Sequence, residues 1–248
     1  MMATLRAEFR KLLTVRSTYI ITVLIVAFVF FIAFYVEGWR LGPADLHNPG
    51  QLSSDVFGAL TLSVFGAVIA ILLMTHEYRY NTIIYTLTGS NSRSRVLISK
   101  IIVISVYALF LTAVIGVLSP IASYLGIHAH GHVLAAQTLH VGNLAWRSLF
   151  YGWSYGMIGL LLAALIRVQV GAIVALFVIP TAIEGLLSEL LKHSAVYLPF
   201  TAQSEVIGNS GFRVGAPLSP GRAAIVVLTY LVIGWIVAWV LFIRRDAN

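Results

Sequence analysis

The chain has 248 residues, of which 59% are hydrophobic and only 10% charged, and its mean hydropathy is +0.93. A soluble domain carries about 25% charged residues, so that class is excluded and most of the surface must meet lipid. There is no cysteine, which removes disulfides, thiolate metal sites and cysteine nucleophiles, and the net charge of +7 calls for an account of where the cations fall.

In residues 1–17, Leu5, Phe9, Leu12 and Leu13 recur at i, i+4, i+7 and i+8, while Arg6, Arg10 and Lys11 point elsewhere. That is the pattern of an amphipathic helix lying in the membrane surface. An uncharged first span follows at about 18–36, its far end crowded with Phe28, Phe31 and Tyr35. A signal peptide has a shorter apolar core and a small-residue cleavage site, so this reads as a retained helix. The aromatic stripe either anchors the helix at the interface or lines a passage for an amphipathic substrate.

The second span is expected at about 56–74 and the third at about 101–118. Between them, residues 75–100 hold Glu77, Tyr78, Arg79, Tyr80, Thr82, Ile84 and Leu87, then a break at Gly89-Ser90-Asn91-Ser92 and Arg93. A simple connector has no need of tyrosines and isoleucines facing water beside arginines. The segment reads as a short helix that docks a partner protein.

Beyond the third span, His128, His130 and His132 alternate in a loop, with His140 further on. Imidazoles bind copper or zinc, but no carboxylate or sulfur completes a site, and a solvated loop is the simpler account. The fourth span, about 148–166, contains Gly152-Trp-Ser-Tyr-Gly156, which matches the nucleophile elbow GxSxG with Ser154. Inside an apolar helix, Gly152, Gly156 and Gly159 are better explained as a small-residue packing face. The fifth span, about 168–187, carries Glu184 after Pro180; an acid in an apolar helix must face protein or a water-filled path. Residues 188–222 read as an outer, re-entrant segment, and the sixth span covers about 223–243. Each span has the length that ~30 Å of hydrocarbon requires, and in lipid each must be helical.

With the N-terminus inside, eleven basic residues (Arg6, Arg10, Lys11, Arg16, Arg79, Arg93, Arg95, Lys100, Arg167, Arg244, Arg245) fall on the cytoplasmic side. Five (Arg40, Arg147, Lys192, Arg213, Arg222) fall outside. The bias predicts a multi-pass protein of the cytoplasmic membrane with both termini cytoplasmic, and it explains the net charge without nucleic acid.

The order Glu77, Thr82, Leu87, Ser92, Arg93 and Lys100 resembles the membrane subunits of type-2 ABC transporters, in which this segment is the coupling helix that contacts the ATPase. Asn81 stands where that family usually has glycine, and Gly89-Ser90 where proline is common. The six spans, the N-terminal amphipathic helix and Tyr197-Leu198-Pro199-Phe200-Thr201-Ala202, similar to the family's re-entrant region, extend the resemblance over nearly the whole chain. It implies a transport subunit without catalytic residues, paired with a second copy or a related permease. It also implies separate subunits that bind ATP and magnesium; in this chain no glycine is followed by the lysine of a phosphate-binding loop. The resulting expectation is a single all-α domain over 1–248, the permease of an exporter of hydrophobic or amphipathic molecules. The possible translocation path comprises Phe28, Phe31, Tyr35 and Glu184. The alternative is an ATP-independent membrane protein, either a secondary transporter or a serine hydrolase using Ser154; a secondary carrier usually shows ionisable residues at mid-membrane, and the central turns of all six spans have none.

Overall fold

A computed structural model describes residues 2–41, 59–90, 92–132, 141–208 and 217–244. Among these there are helices and no strands. Helix α1 (Met2–Thr14) is separated from α2 (Arg16–Phe31) by one extended residue, Val15, and α2 continues as a π-helical segment over Ile32–Trp39. A 3-10 segment, Ala59–Val64, leads into α3 (Phe65–Arg79), followed by the short α4 (Ile83–Ser90) and the 37-residue α5 (Arg93–Ala129). Helix α6 (Val141–Ile166) turns sharply into α7 (Gln169–Val178). A π-helical turn at Ile179–Ile183 joins α7 to α8 (Glu184–Leu191), and a 3-10 segment, Lys192–Tyr197, precedes α9 (Pro199–Ile207) and finally α10 (Pro220–Arg244).

Six helical stretches among the described residues are long and apolar enough to cross a membrane: Arg16–Trp39, Leu62–Arg79, Arg93–Ala129, Ala145–Ile166, Gln169–Tyr197 and Pro220–Arg244. The expected start of the second span at 56–58, part of the outer segment (209–216) and His140 lie outside the described residues. The third helix is much longer than its expected bounds. At ~1.5 Å per residue it is about 55 Å long, so turns at its ends project beyond ~30 Å of hydrocarbon. The fifth span is interrupted at Pro180, which has no N–H to give and crowds the preceding turn, and the ladder widens into a π turn there.

The core lies where α3, α5 and α6 meet. In the most apolar window of each span, 61% of the fourth is buried against 17% of the first and of the fifth. Helix association in lipid gains little from hydrophobicity, so close approach depends on small residues. Gly152 and Gly156 face Thr112 and Ala108 of α5, while Gly159 faces α3, where a Cβ would stand 2.5 Å from the carbonyl oxygen of Ala67. Gly38 and Gly126 make the same kind of contact between the π-helical segment and α5: a Cβ on Gly38 would be 2.6 Å from the Ser123 carbonyl oxygen.

Helix α1, the α3–α4 turn, the start of α5, the α6–α7 turn and the end of α10 share one end of the bundle. The Arg93 guanidinium donates to the carbonyl of Ile243 there (3.1 Å), and Arg79 donates to Gln169 (3.4 Å). At the opposite end Trp39 meets His130 edge-on at 5.0 Å, and the α8–α9 hairpin folds back onto α6 and α10.

Gly159→Val tests the packing account. The obstructing atoms at Gly159 include backbone, which cannot rotate away, so α3 and α6 must separate, at a cost of about 1–3 kcal/mol. The variant should melt at lower temperature in detergent, whereas Gly185→Ala, where an added Cβ meets nothing within 4 Å, should not.

Candidate functional site

At the end of the bundle that carries α1, four charged side chains close into a ring. The Lys11 ammonium lies 2.8 Å from Glu8 Oε1 and 2.6 Å from Glu77 Oε1; the Lys100 ammonium lies 2.8 Å from Glu8 Oε2 and 2.9 Å from Glu77 Oε1. The ring is neutral, and each charge touches two of opposite sign. Glu8 and Lys100 are fully buried, Glu77 nearly so, and Lys11 partly exposed. Withdrawing such ions from water costs several kcal/mol each, which only close, charge-assisted contacts offset. Burial alone would raise the Glu8 pKa, but the charge and hydrogen bond of Lys100, with those of Lys11, outweigh it and hold the carboxyl below its ordinary value. Burial would likewise lower Lys11, but Glu77 and Glu8 hold the ammonium above its ordinary value.

The ring joins three parts of the chain that are distant in sequence. Glu8 and Lys11 come from α1, Glu77 from the last turn of α3 and Lys100 from the second turn of α5. Lys11 also donates to Thr86 Oγ1 of α4 at 3.1 Å. Helix α4 is therefore held from below by α1 and by the two helices it connects. It is reached through a turn at Tyr80–Thr82 in which Asn81 has φ of +53°, the left-handed conformation that asparagine tolerates better than other residues with a Cβ.

This turn separates the residues of the expected coupling segment. Ile83 is buried (2% exposed) and Leu87 packs against the core, whereas Tyr80 (64%), Ile84 (50%) and Tyr85 (79%) face outward, with Thr82 exposed beside them. Tyr78 is half-buried beneath the Arg167 guanidinium, 5.3 Å from its ring, and Arg79 lies 5.7 Å from the Tyr80 ring. Glu77 points into the ring of charges, not outward. Between the α3–α4 and α6–α7 turns runs a groove of about 560 Å³ lined by Tyr78, Arg79, Asn81, Ile83, Arg167 and Gln169.

In α1, Leu12 is buried and Leu5 and Phe9 pack against the core, so three of the four residues of its expected membrane face rest on protein and only Leu13 is exposed. The sequence placed Lys11 and Lys100 among the cytoplasmic cations, and Lys100 also at the end of the transporter-like order, but paired neither with a carboxylate. The signal that could have found the pairing is positional: Glu8 lies three residues after Leu5 and four before Leu12, on the helix's apolar face.

Phe28, Phe31 and Tyr35 are exposed on α2 and its π-helical continuation. Phe28 meets Phe65 edge-on at 6.4 Å, and Phe65 lies 6.4 Å from Phe177, forming an aromatic row across α2, α3 and α7. Glu184 is buried elsewhere. Its carboxylate accepts the backbone N–H groups of Phe200 (2.9 Å) and Thr201 (2.8 Å) and the Thr201 hydroxyl (2.9 Å), capping the start of α9. Ser154 is fully buried, donating to the Tyr151 carbonyl and accepting from the Gln203 amide, an arrangement that ties α9 to α6. Those bonds engage no base that would activate a nucleophile. His128 packs on Tyr124 (4.4 Å) and His130 lies between Trp39 and His132. Among the described residues no three His, Asp or Glu side chains cluster closely enough to hold a metal.

The described residues thus form a membrane protein of six apolar helical stretches, with a connecting helix clamped at one end of the bundle. The chain belongs to the ABC-2 family of transporter proteins, whose family model matches residues 4–187. It is accordingly the membrane-embedded permease of a type-2 ABC transporter, a class that works with an ATP-binding partner. No curated protein matches the chain significantly.

Breaking the ring should be costlier than deleting it. Glu8→Ala leaves Lys100 buried beside a single, already shared carboxylate and should destabilise the protein by about 3–5 kcal/mol, whereas Glu8→Leu combined with Lys100→Met should recover much of that loss. Because Glu8 titrates below its ordinary 4.5, its contribution is present above pH 4.5 and is lost as pH falls through the lowered folded value. Lys11 contributes below its ordinary 10.5 and loses that contribution as pH rises through its raised folded value. Thermal unfolding in detergent across pH, for wild type and both variants, checks all of this.

Proposed function

We propose that this permease exports a hydrophobic or amphipathic molecule by alternating access, driven by ATP hydrolysis in a separate subunit that binds ATP and magnesium. The observation that carries the reading is the outward patch of Tyr80, Ile84 and Tyr85 mounted on a helix that the charge ring holds at its base. An apolar, aromatic patch costs free energy in water, and a partner surface removes that cost. Because α4 is clamped to α1, α3 and α5, a push on the patch moves the ends of two spans together instead of bending a loop.

The exposed sides of α2 and α7, with the aromatic row between them, support pairing with a second permease and a passage along Phe28, Phe31 and Tyr35. Glu184 serves that passage indirectly, by holding the α8–α9 hairpin at one end of the bundle. The eleven-to-five distribution of basic residues supports a cytoplasmic position for α1 and α4 in the cytoplasmic membrane.

Tyr80→Ala with Ile84→Ala should lower co-purification of the ATPase, since a buried aromatic anchor often contributes ~2 kcal/mol or more, or uncouple hydrolysis from transport in liposomes. The melting temperature should be unchanged. Ile83→Ala, at a buried position, should instead lower the melting temperature. Normal assembly and transport in the double variant would refute the docking role.

Orientation has its own test in a cysteine-free chain. Cysteines at the exposed Thr88 and Ser194 sit at opposite ends of the bundle, and in intact cells only the second should react with an impermeant thiol reagent.

A further inference from the structure

Helix α1 has one acid, Glu8, and three cations, Arg6, Arg10 and Lys11. The charge ring takes up Glu8 and Lys11 together, one of each sign, and turns both toward the bundle. What remains on the outward face is positive only: Arg6 and Arg10 are exposed, one helical turn apart, and the exposed Arg16 follows at the start of α2. The same face carries Met2 (84% exposed) and Leu13 (54% exposed), which at 100° per residue fall beside the two arginines. A groove of about 760 Å³ lined by Met2, Leu5, Arg6, Phe9 and Arg10 runs along it.

We propose that this face of α1 binds the phosphates of anionic phospholipids, with Arg6 and Arg10 pairing to headgroups and Met2 and Leu13 entering the acyl region beside them. Lipid, and not the ATPase, is the occupant for two reasons. A single extended residue, Val15, separates α1 from a membrane span, which places the helix at the depth of the headgroups. Arginine beside exposed aliphatic side chains also suits a surface that offers phosphate and hydrocarbon together, whereas the outward patch on α4 is mainly aromatic and aliphatic. The charge ring keeps the face cationic: Glu8, the one acid of α1, is buried against Lys100 and Lys11 on the other side of the helix and does not offset the two arginines. The inference rests on membrane embedding and is independent of exporter function.

The test uses the full chain in nanodiscs of phosphatidylcholine with about 30% phosphatidylglycerol, counting the lipids retained by native mass spectrometry. Near an anionic surface each arginine is worth about fivefold in binding. Arg6→Gln with Arg10→Gln should therefore lower phosphatidylglycerol enrichment by tenfold or more, while Arg6→Lys with Arg10→Lys retains most of it. Should the glutamine variant not fold, raising salt from about 50 to about 500 mM on the wild type should remove the enrichment by screening. Enrichment that persists in the folded glutamine variant, or that ignores salt in the wild type, would overturn the proposal. So would unchanged lipid selectivity accompanied by loss of ATPase co-purification, which would assign the arginines to a protein partner.

Discussion

The Lys100 ammonium has no access to water, and that constraint orders the whole end of the molecule around it. An enclosed cation requires carboxylates, and the two available come from positions 8 and 77, on different helices. Supplying them fixes α1 against α5 and sets where α3 ends. Lys11 then closes the ring and reaches Thr86, which fixes α4. A buried ion ring is a poor source of net stability compared with hydrophobic packing, but it accepts few alternative geometries. Here it ties α1, α3 and α5 to one another and, through Thr86, to α4.

The rest of the bundle follows the same economy of polar contacts. Between its ends, helices approach through Gly152, Gly156 and Gly159 and their small partners, with shape rather than polarity setting the distance. At the far end, polar groups again decide position: Glu184 caps α9, and Gln203 binds Ser154 and the Tyr151 carbonyl. The protein is thus pinned by hydrogen-bonded nodes at both ends and packed by small residues in between.

The departures from the type-2 ABC pattern have physical readings. Asn81 occupies the position where glycine is usual, and its backbone is left-handed, so the turn demands the same conformation and asparagine meets it at modest cost. Arg167, also left-handed, makes the corresponding turn between α6 and α7 and lays its guanidinium over Tyr78. The two turns bracket the groove beside α4, so any partner that engages the outward tyrosines also meets the connection into the fifth span.

Composition and the lengths of the apolar runs were enough to establish a helical membrane protein with six spans, because hydrocarbon leaves the backbone few other options. That the segment between the second and third spans turns apolar side chains outward was legible too: Tyr80 and Ile84 are apolar where a connector would be polar, and both are exposed. The sequence could not reveal what each polar residue inside an apolar setting was paired with. Glu184 looked equally suited to a passage and to an interface, and only the fold brought the first turn of α9 to its carboxylate. GxSxG matched a hydrolase motif until the amide of Gln203, from another helix, occupied Ser154. Nothing in the sequence paired Lys11 or Lys100 with Glu8 or Glu77, since partners in the ring lie as many as 92 residues apart. Local pattern determines which segments are helices and which face is apolar. Which charges meet is decided by the packing of helices distant in sequence, and so belongs to the tertiary structure alone.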